Sequence, residues 1–146
     1  MPFAESFRDL IVYQKASALS REVFWLSSSF PHGETYSFTD QIRRSSRSIG
    51  AQIAEAWAKR SYEKSFISKL TDANGEQLET QHWIEVAKDC GYLSKEQSHI
   101  LIEMCIEIVR MLGSMISKSS QFCQTHPGSI RELEEEYFIE AFHGSE

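Results

Sequence analysis

The sequence predicts an all-α protein, an antiparallel up-down-up-down four-helix bundle. Apolar residues recur at three- and four-residue steps in four long segments, which is the period of an amphipathic helix. No segment shows the strict alternation of a half-buried strand, and 7 Gly and 3 Pro among 146 residues argue against a turn-dense all-β fold. Long helices with short connections bury their apolar faces in a bundle. We therefore predict one domain over residues 1–122 and an acidic C-terminal tail over residues 123–146, with room for a short helix over 130–142.

The first two helices are bounded by turn and capping residues. The first helix is predicted over residues 7–28, and Pro31 prevents its continuation. The second helix is predicted to begin near Ser37, whose hydroxyl would cap it, with Asp40 in the positive first turn. Its inner side carries Ile42, Ser45, Ser46, Ile49, Ile53, Ala56 and Trp57.

The third and fourth helices have their own boundary signals. Ser61 is expected to cap a third helix that runs to about residue 90, and Gly91 is placed to end it in the left-handed conformation. Ser94 and Gln97 form the sequence of a capping box, which opens a fourth helix over residues 95–122. Gly50 and Gly75 lie inside helices, where a glycine costs about 1 kcal/mol relative to alanine, so a packing reason is expected for each.

Several protein classes are excluded by features that the sequence lacks. No run approaches the roughly 18 to 20 apolar residues of a membrane span, and the first residues lack the pattern of a signal peptide. We therefore expect a cytoplasmic protein. The three cysteines (Cys90, Cys105 and Cys123) are widely spaced, so we expect buried or partly buried thiols rather than disulfides.

Catalytic and metal-binding patterns are also missing. Glu79 and His82 have the Glu-x-x-His spacing of di-iron bundles, but such sites need two of these elements and the sequence has one. There is no nucleophile elbow, phosphate-binding glycine loop or dinucleotide fingerprint. The sequence therefore predicts a protein that is not an enzyme and that holds no metal or cofactor.

Charge is distributed unevenly along the chain. The formal net charge is -6, yet residues 41–69 hold seven basic and two acidic residues, a net charge of +5. This stretch suits contacts with nucleic-acid phosphates. Alternatively, its arginines pair with carboxylates such as Glu34, Asp40, Glu79 or Glu85, and both interpretations stay open. The candidate nucleic-acid-binding residues are Arg43, Arg44, Arg47, Lys59 and Arg60.

Large aromatic residues supply a second kind of candidate site. Trp57, Tyr62 and Phe66 follow one another closely at the junction of the second and third helices. Because aromatic side chains are enriched in subunit contacts, we predict that these three residues form an oligomer interface. The alternative is that they belong to the core of a single chain.

Five segments of the chain form an ordered set of motifs: FRDLIVYQKA (7–16), FPHGETYSFTDQIRRS (30–45), SIGAQIAE (48–55), QLETQ (77–81) and GYL (91–93). Together they resemble the bacterial four-helix-bundle family encoded in intervening sequences of 23S ribosomal RNA genes. The likeness covers about residues 7–117. The chain departs from that pattern at polar positions, with Gln52 for Asn, Ala56 for Gly, Ala73-Asn74 for Gly-Ser and Gln77 for Glu.

The resemblance implies properties that the residues alone do not give. It implies a left-handed bundle that assembles into a homopentamer, without catalytic residues. A related branch is the accessory variability protein of diversity-generating retroelements, a basic pentamer that binds a reverse transcriptase and nucleic acid. We therefore expect an oligomeric accessory protein for RNA, DNA or a nucleic-acid enzyme such as a reverse transcriptase. The alternative is a homo-oligomeric interaction scaffold with no nucleic-acid role.

Overall fold

A computed structural model describes residues 4–123, and the regular structure of this part of the chain is entirely helical, which confirms the all-α class. A 3-10 turn (Phe7–Asp9) precedes α1 (Ile11–Ser27). A 3-10 turn (His32–Glu34) and a π-helical turn (Thr35–Thr39) precede α2 (Asp40–Ala58). They are followed by α3 (Glu63–Asp89), α4 (Lys95–Ser117) and α5 (Ser119–Cys123). Cys123, which we assigned to the tail, belongs to α5; the rest of the predicted tail and its helix over 130–142 lie outside the described residues.

The long helices pack around one apolar core. Each helix contacts the next along the chain, α1 also contacts α4, and α5 packs on α3 and α4. Each long helix buries one side against its neighbours, as the apolar spacing predicts. The fully buried aliphatic and aromatic side chains include Leu19, Ile42, Ile49, Ile53, Phe66, Leu70, Ile84, Leu101, Ile108 and Leu112.

The contact between α2 and α3 is made in part by small polar side chains. Ser45 and Thr80 are fully buried, and the Thr80 Oγ1 lies 2.9 Å from the Ser45 Oγ and 2.9 Å from the Glu76 carbonyl oxygen. The Gln77 side chain is also fully buried and donates to Asn74 Oδ1 at 3.0 Å. Buried polar groups are costly without partners, and of these hydrogen bonds the one between Thr80 and Ser45 joins the two helices and fixes α3 against α2 in one register.

Two predicted helix boundaries are confirmed in detail. Gly91 has a φ of 77°, the left-handed conformation that ends α3 and that other residues rarely adopt. The capping box at the start of α4 is complete. The backbone N–H of Gln97 donates to Ser94 Oγ at 3.0 Å, and the backbone N–H of Ser94 donates to the side-chain Oε1 of Gln97 at 2.9 Å.

Other boundaries differ from the prediction. Ser37 does not cap α2, because the chain is already helical in the preceding π-helical turn; the Ser37 hydroxyl donates to Glu34 instead. Ser61 does not cap α3 either, since Tyr62 is the residue before that helix and no side chain caps it. The predicted fourth helix is divided at Lys118, where α4 ends and α5 begins.

Of the two helical glycines for which the sequence predicts a packing reason, Gly50 and Gly75, only Gly50 has one. A Cβ atom on Gly50 would lie 3.3 Å from Cε1 of Tyr13, so the glycine allows α1 to approach α2 closely at this point. A Cβ atom on Gly75 would meet no atom within 4 Å. The packing reason expected for Gly75 is therefore absent among the described residues.

Replacing Ile53 by alanine tests the core directly. Ile53 has no exposed surface, so we expect Ile53→Ala to lower the free energy of unfolding by about 2–4 kcal/mol. The matched control is Ile100→Ala on α4, where the side chain is 57% exposed and the expected loss is under about 1 kcal/mol. Urea denaturation measures both. Equal losses in the two variants would contradict this assignment of the core.

Candidate nucleic-acid interface

The helical period of α2 separates its arginines from its apolar residues. Ile42, Ile49 and Ile53 are buried, while Arg44 and Arg47 are exposed and Arg43 is half-buried. Positions three and four residues apart lie side by side on a helix, so Arg47 is a neighbour of both Arg43 and Arg44. They line one shallow groove on the outer side of α2, together with Asp40, Ser48 and Ala51.

Arg43 is held in place by α1. Its Nε donates to the hydroxyl of Ser27 at 2.8 Å, and its guanidinium lies 4.7 Å from the centre of the Phe24 ring. A cation over an aromatic face is attracted by the ring quadrupole. These contacts fix the position of the guanidinium without neutralising its charge.

Arg47 uses the same aromatic ring. Its guanidinium carbon lies 5.8 Å from the centre of the Phe24 ring, which is 38% exposed, and Trp25 meets that ring edge-on. The spacing of residues along the first helix gives no indication that Phe24 meets the arginines of α2. Only the packing of α1 against α2 reveals this contact.

Arg44 has a different environment on the α3 side. It pairs with Glu76 at 3.4 Å and makes a closer pair with Glu79. Glu79 also accepts a hydrogen bond from the Trp83 indole at 3.0 Å, and this bond, followed by the one from Arg44, lowers the pKa of the Glu79 carboxyl. The same pairing raises the pKa of Arg44. For Arg44, the carboxylate-pairing interpretation is therefore the one observed.

Arg60 does not belong to this surface, which corrects its prediction as a nucleic-acid-binding residue. Its side chain is only 3% exposed, its Nε donates to the Trp57 carbonyl oxygen at 2.8 Å, and its guanidinium stacks 3.5 Å from the centre of the Trp57 ring. Burial lowers the pKa of Arg60 to about 10. Lys59, directly after α2, is exposed as expected.

The three aromatic candidates for an oligomer interface are separated by the structure. Phe66 is fully buried and stacks on Phe122 with ring centres 5.8 Å apart, and Trp57 is 7% exposed. Both side chains therefore belong to the core, and this corrects their assignment to a subunit contact. Tyr62 is 57% exposed and stays available for one.

Among residues 4–123, neither Arg43 nor Arg47 forms an ion pair, although Asp40 lines the same groove. Across residues 4–123, ion pairs involve Lys15, Arg44, Lys69 and Lys88, and no carboxylate lies within 4.0 Å of a nitrogen of Arg43 or Arg47. A guanidinium presents a planar fork of donors that matches phosphate oxygens. The groove on α2 is therefore suited to an anionic ligand.

Metal binding and nucleophilic catalysis find little support among the residues that the structure describes. No group of three or more histidine, cysteine or acidic side chains there could hold a metal ion, and His82 is exposed with its ring 4.7 Å from that of Trp83. Burial raises the pKa values of Cys105 and Cys123 to about 12, so neither thiol is a ready nucleophile. Cys90 is exposed, contrary to expectation.

None of the helices among residues 4–123 has an apolar stretch long enough to cross a membrane.

Comparison with known protein families identifies the chain. The family model described as 23S rRNA-intervening sequence protein matches residues 8–114. The chain belongs to this family. The matched range contains α1 to most of α4, including the groove on α2 and the carboxylates that pair with Arg44. Searches of curated proteins and of solved structures gave no match.

The Arg44–Glu79 pair has a testable pH dependence. Because the pKa of Glu79 is lowered in the folded chain, its carboxylate contributes stability above the unfolded pKa of about 4.3, and this contribution is lost as the pH falls through the lower folded pKa. We expect Glu79→Gln to cost about 0.5 kcal/mol at pH 7 and less at pH 3. Urea denaturation at both pH values measures this, with Glu103→Gln as the exposed control. An equal cost at both pH values would show that charge is not involved.

Proposed function

We propose that this protein is a non-enzymatic RNA-binding protein whose α2 groove contacts the phosphate backbone. The observation that carries the proposal is the contrast among three neighbouring arginines. Arg44 is paired with glutamates of α3, whereas Arg43 and Arg47 are positioned by an aromatic ring and a hydroxyl and have no carboxylate partner among residues 4–123. Cations held in this way retain their charge for an external anion.

RNA is the nucleic acid that the proposal favours. The description of the family links its members to 23S ribosomal RNA, and the groove offers guanidinium groups rather than a set of base-reading side chains. Contacts of this kind supply affinity and register but carry little sequence information. We therefore propose binding that follows the shape and charge of the RNA.

Assembly would strengthen such binding. We propose an antiparallel up-down-up-down bundle that forms a homo-oligomer, a pentamer by resemblance to the family. Two arginines on a chain with a net charge of -6 provide a weak site by themselves. A ring of subunits would present several copies of the groove to one RNA, and binding at linked sites is stronger than at any one of them.

Removing the charges of Arg43 and Arg47 tests the proposed function. We expect Arg43→Gln/Arg47→Gln to weaken binding of a structured RNA and to reduce the slope of log affinity against log salt by about 1.5, since each lost phosphate contact removes about 0.7 to 0.9 from the slope. Fluorescence anisotropy across a salt series measures both quantities.

The control for this experiment changes the same amount of charge elsewhere. Lys95→Gln/Arg110→Gln alters two exposed residues of α4 and should leave the slope nearly unchanged. Equal losses in the two double variants would assign the binding to overall charge and not to the α2 groove. Absence of RNA binding by the natural chain at low salt would refute the proposed function.

The structure also favours a second candidate function, a homo-oligomeric scaffold. Ile11 and Trp25 lie fourteen residues apart on α1, close to one line along the helix, and they are 61% and 70% exposed. Ala18 occupies the position midway between them. Exposed apolar residues in such a line are typical of a surface that another helix covers.

Polar replacement of this line tests assembly. We expect the natural chain to have an oligomer mass in light scattering. Ile11→Ser/Trp25→Ser should shift the population to smaller species at the same concentration, because the subunit contact would lose its two most exposed apolar side chains on α1. The control is Leu78→Ser/Ile100→Ser, which alters exposed apolar residues of α3 and α4. A monomeric natural chain would refute the scaffold and the pentamer alike.

A further inference from the structure

A second groove runs along the surface between α1 and α2 and adjoins the first. Small side chains of both helices line most of its length. Tyr13 lies at the end of the groove near the start of α1, and Arg47 lies at the end towards the start of α2. Arg47 and Ala51 line both grooves, so a ligand lying along the second one reaches the arginines of the first. The small residues that line it are Ala16, Ser17, Ser20, Gly50, Ala51 and Ala54.

We propose that the chain's own C-terminal segment, residues 124–146, binds in this α1–α2 groove and competes with RNA for Arg43 and Arg47. The competition rests on the proposed function, whereas the docking does not. From residue 129 onward the segment contains six glutamates and one arginine. Its Ile130, Leu133 and Tyr137 recur at steps of three and four, the spacing of an amphipathic helix that fits a shallow groove.

The described residues end at Cys123, close to the end of the groove at which Ala54 lies. Phe122 stacks on Phe66 and the Ser119 hydroxyl donates to Glu63, so α5 lies beside the start of α3 and therefore beside the end of α2. Ala54 lies near that end of α2 and lines the groove. The segment can thus enter at Ala54 and continue towards the arginines.

The length of the segment is sufficient. From Ala54 to Arg43 the helix rises about 17 Å, at 1.5 Å for each residue. Residues 124–129 can extend about 20 Å, which spans the 8–10 Å between neighbouring helix axes, and the helix that the sequence predicts over 130–142 would add about 20 Å. This length would allow the glutamates at 134–136 to reach the level of Arg47 and Arg43.

Complementary charge explains why this occupant is favoured. Arg43 and Arg47 have no carboxylate partner within residues 4–123, and the segment supplies a concentrated set of carboxylates on the same chain. A tethered partner acts at an effective concentration in the millimolar range, so weak individual pairs suffice for occupancy. RNA would then bind by displacing the segment.

Cross-linking of the full chain tests the docking without RNA. Tyr137 is replaced by the photoreactive residue p-benzoylphenylalanine, and mass spectrometry maps the cross-links after irradiation. We expect cross-links within one chain to residues of the α1–α2 groove, such as Ser17, Ser20 and Ala51. Cross-links confined to other surfaces, or cross-links only between chains, would overturn the proposal; the latter would identify a second copy as the occupant.

RNA binding by charge variants tests the competition. Glu134→Gln/Glu135→Gln/Glu136→Gln should bind RNA at least about fivefold more tightly than the control Asp89→Asn/Glu96→Gln/Glu103→Gln, which makes the same change in net charge at exposed residues of α3 and α4. Equal affinities would overturn the competition. If cross-links map to the groove but no variant binds RNA, the docking stands and the proposed function fails.

Discussion

Burial of one side of α2 sets both the packing of α3 and the direction in which the arginines of α2 point. Ile42, Ile49 and Ile53 are sealed between the neighbouring helices, and the hydrogen bond between Ser45 and Thr80 fixes the register of α3 against them. Since a helix repeats every 3.6 residues, this burial directs the neighbouring arginines outward. The charged groove is thus a consequence of how the core is packed.

The register of α2 between α1 and α3 also decides which of its arginines pairs with a carboxylate. Arg44 lies on the α3 side and meets Glu76 and Glu79, whereas Arg43 lies on the α1 side and meets Ser27 and Phe24. A difference of one residue along the helix changes the neighbouring helix and, with it, the partner. Counting charges over a stretch of sequence therefore cannot separate a paired arginine from an available one.

Much of the fold could be predicted because its signals are local. The four long helices, the left-handed Gly91 and the capping box at Ser94 follow from periodicity and from residues close in sequence. The failure at Arg60 is local, because its side chain folds back on Trp57 three residues earlier. The others depend on contacts between distant residues, since Phe66 stacks on Phe122 of α5 and Phe24 meets Arg43 only after α1 and α2 pack together. Neither outcome is encoded in the spacing of one helix.

The proposed function requires that Arg43 and Arg47, and not the other arginines, bind RNA phosphates. An NMR titration with a short structured RNA, followed at the arginine Nε–Hε signals, distinguishes these residues from the rest. We expect the signals of Arg43 and Arg47 to shift with saturation, while those of Arg60 and Arg110 stay in place. Uniform small shifts across all arginines, or shifts at Arg110 with none at Arg43 and Arg47, would contradict it.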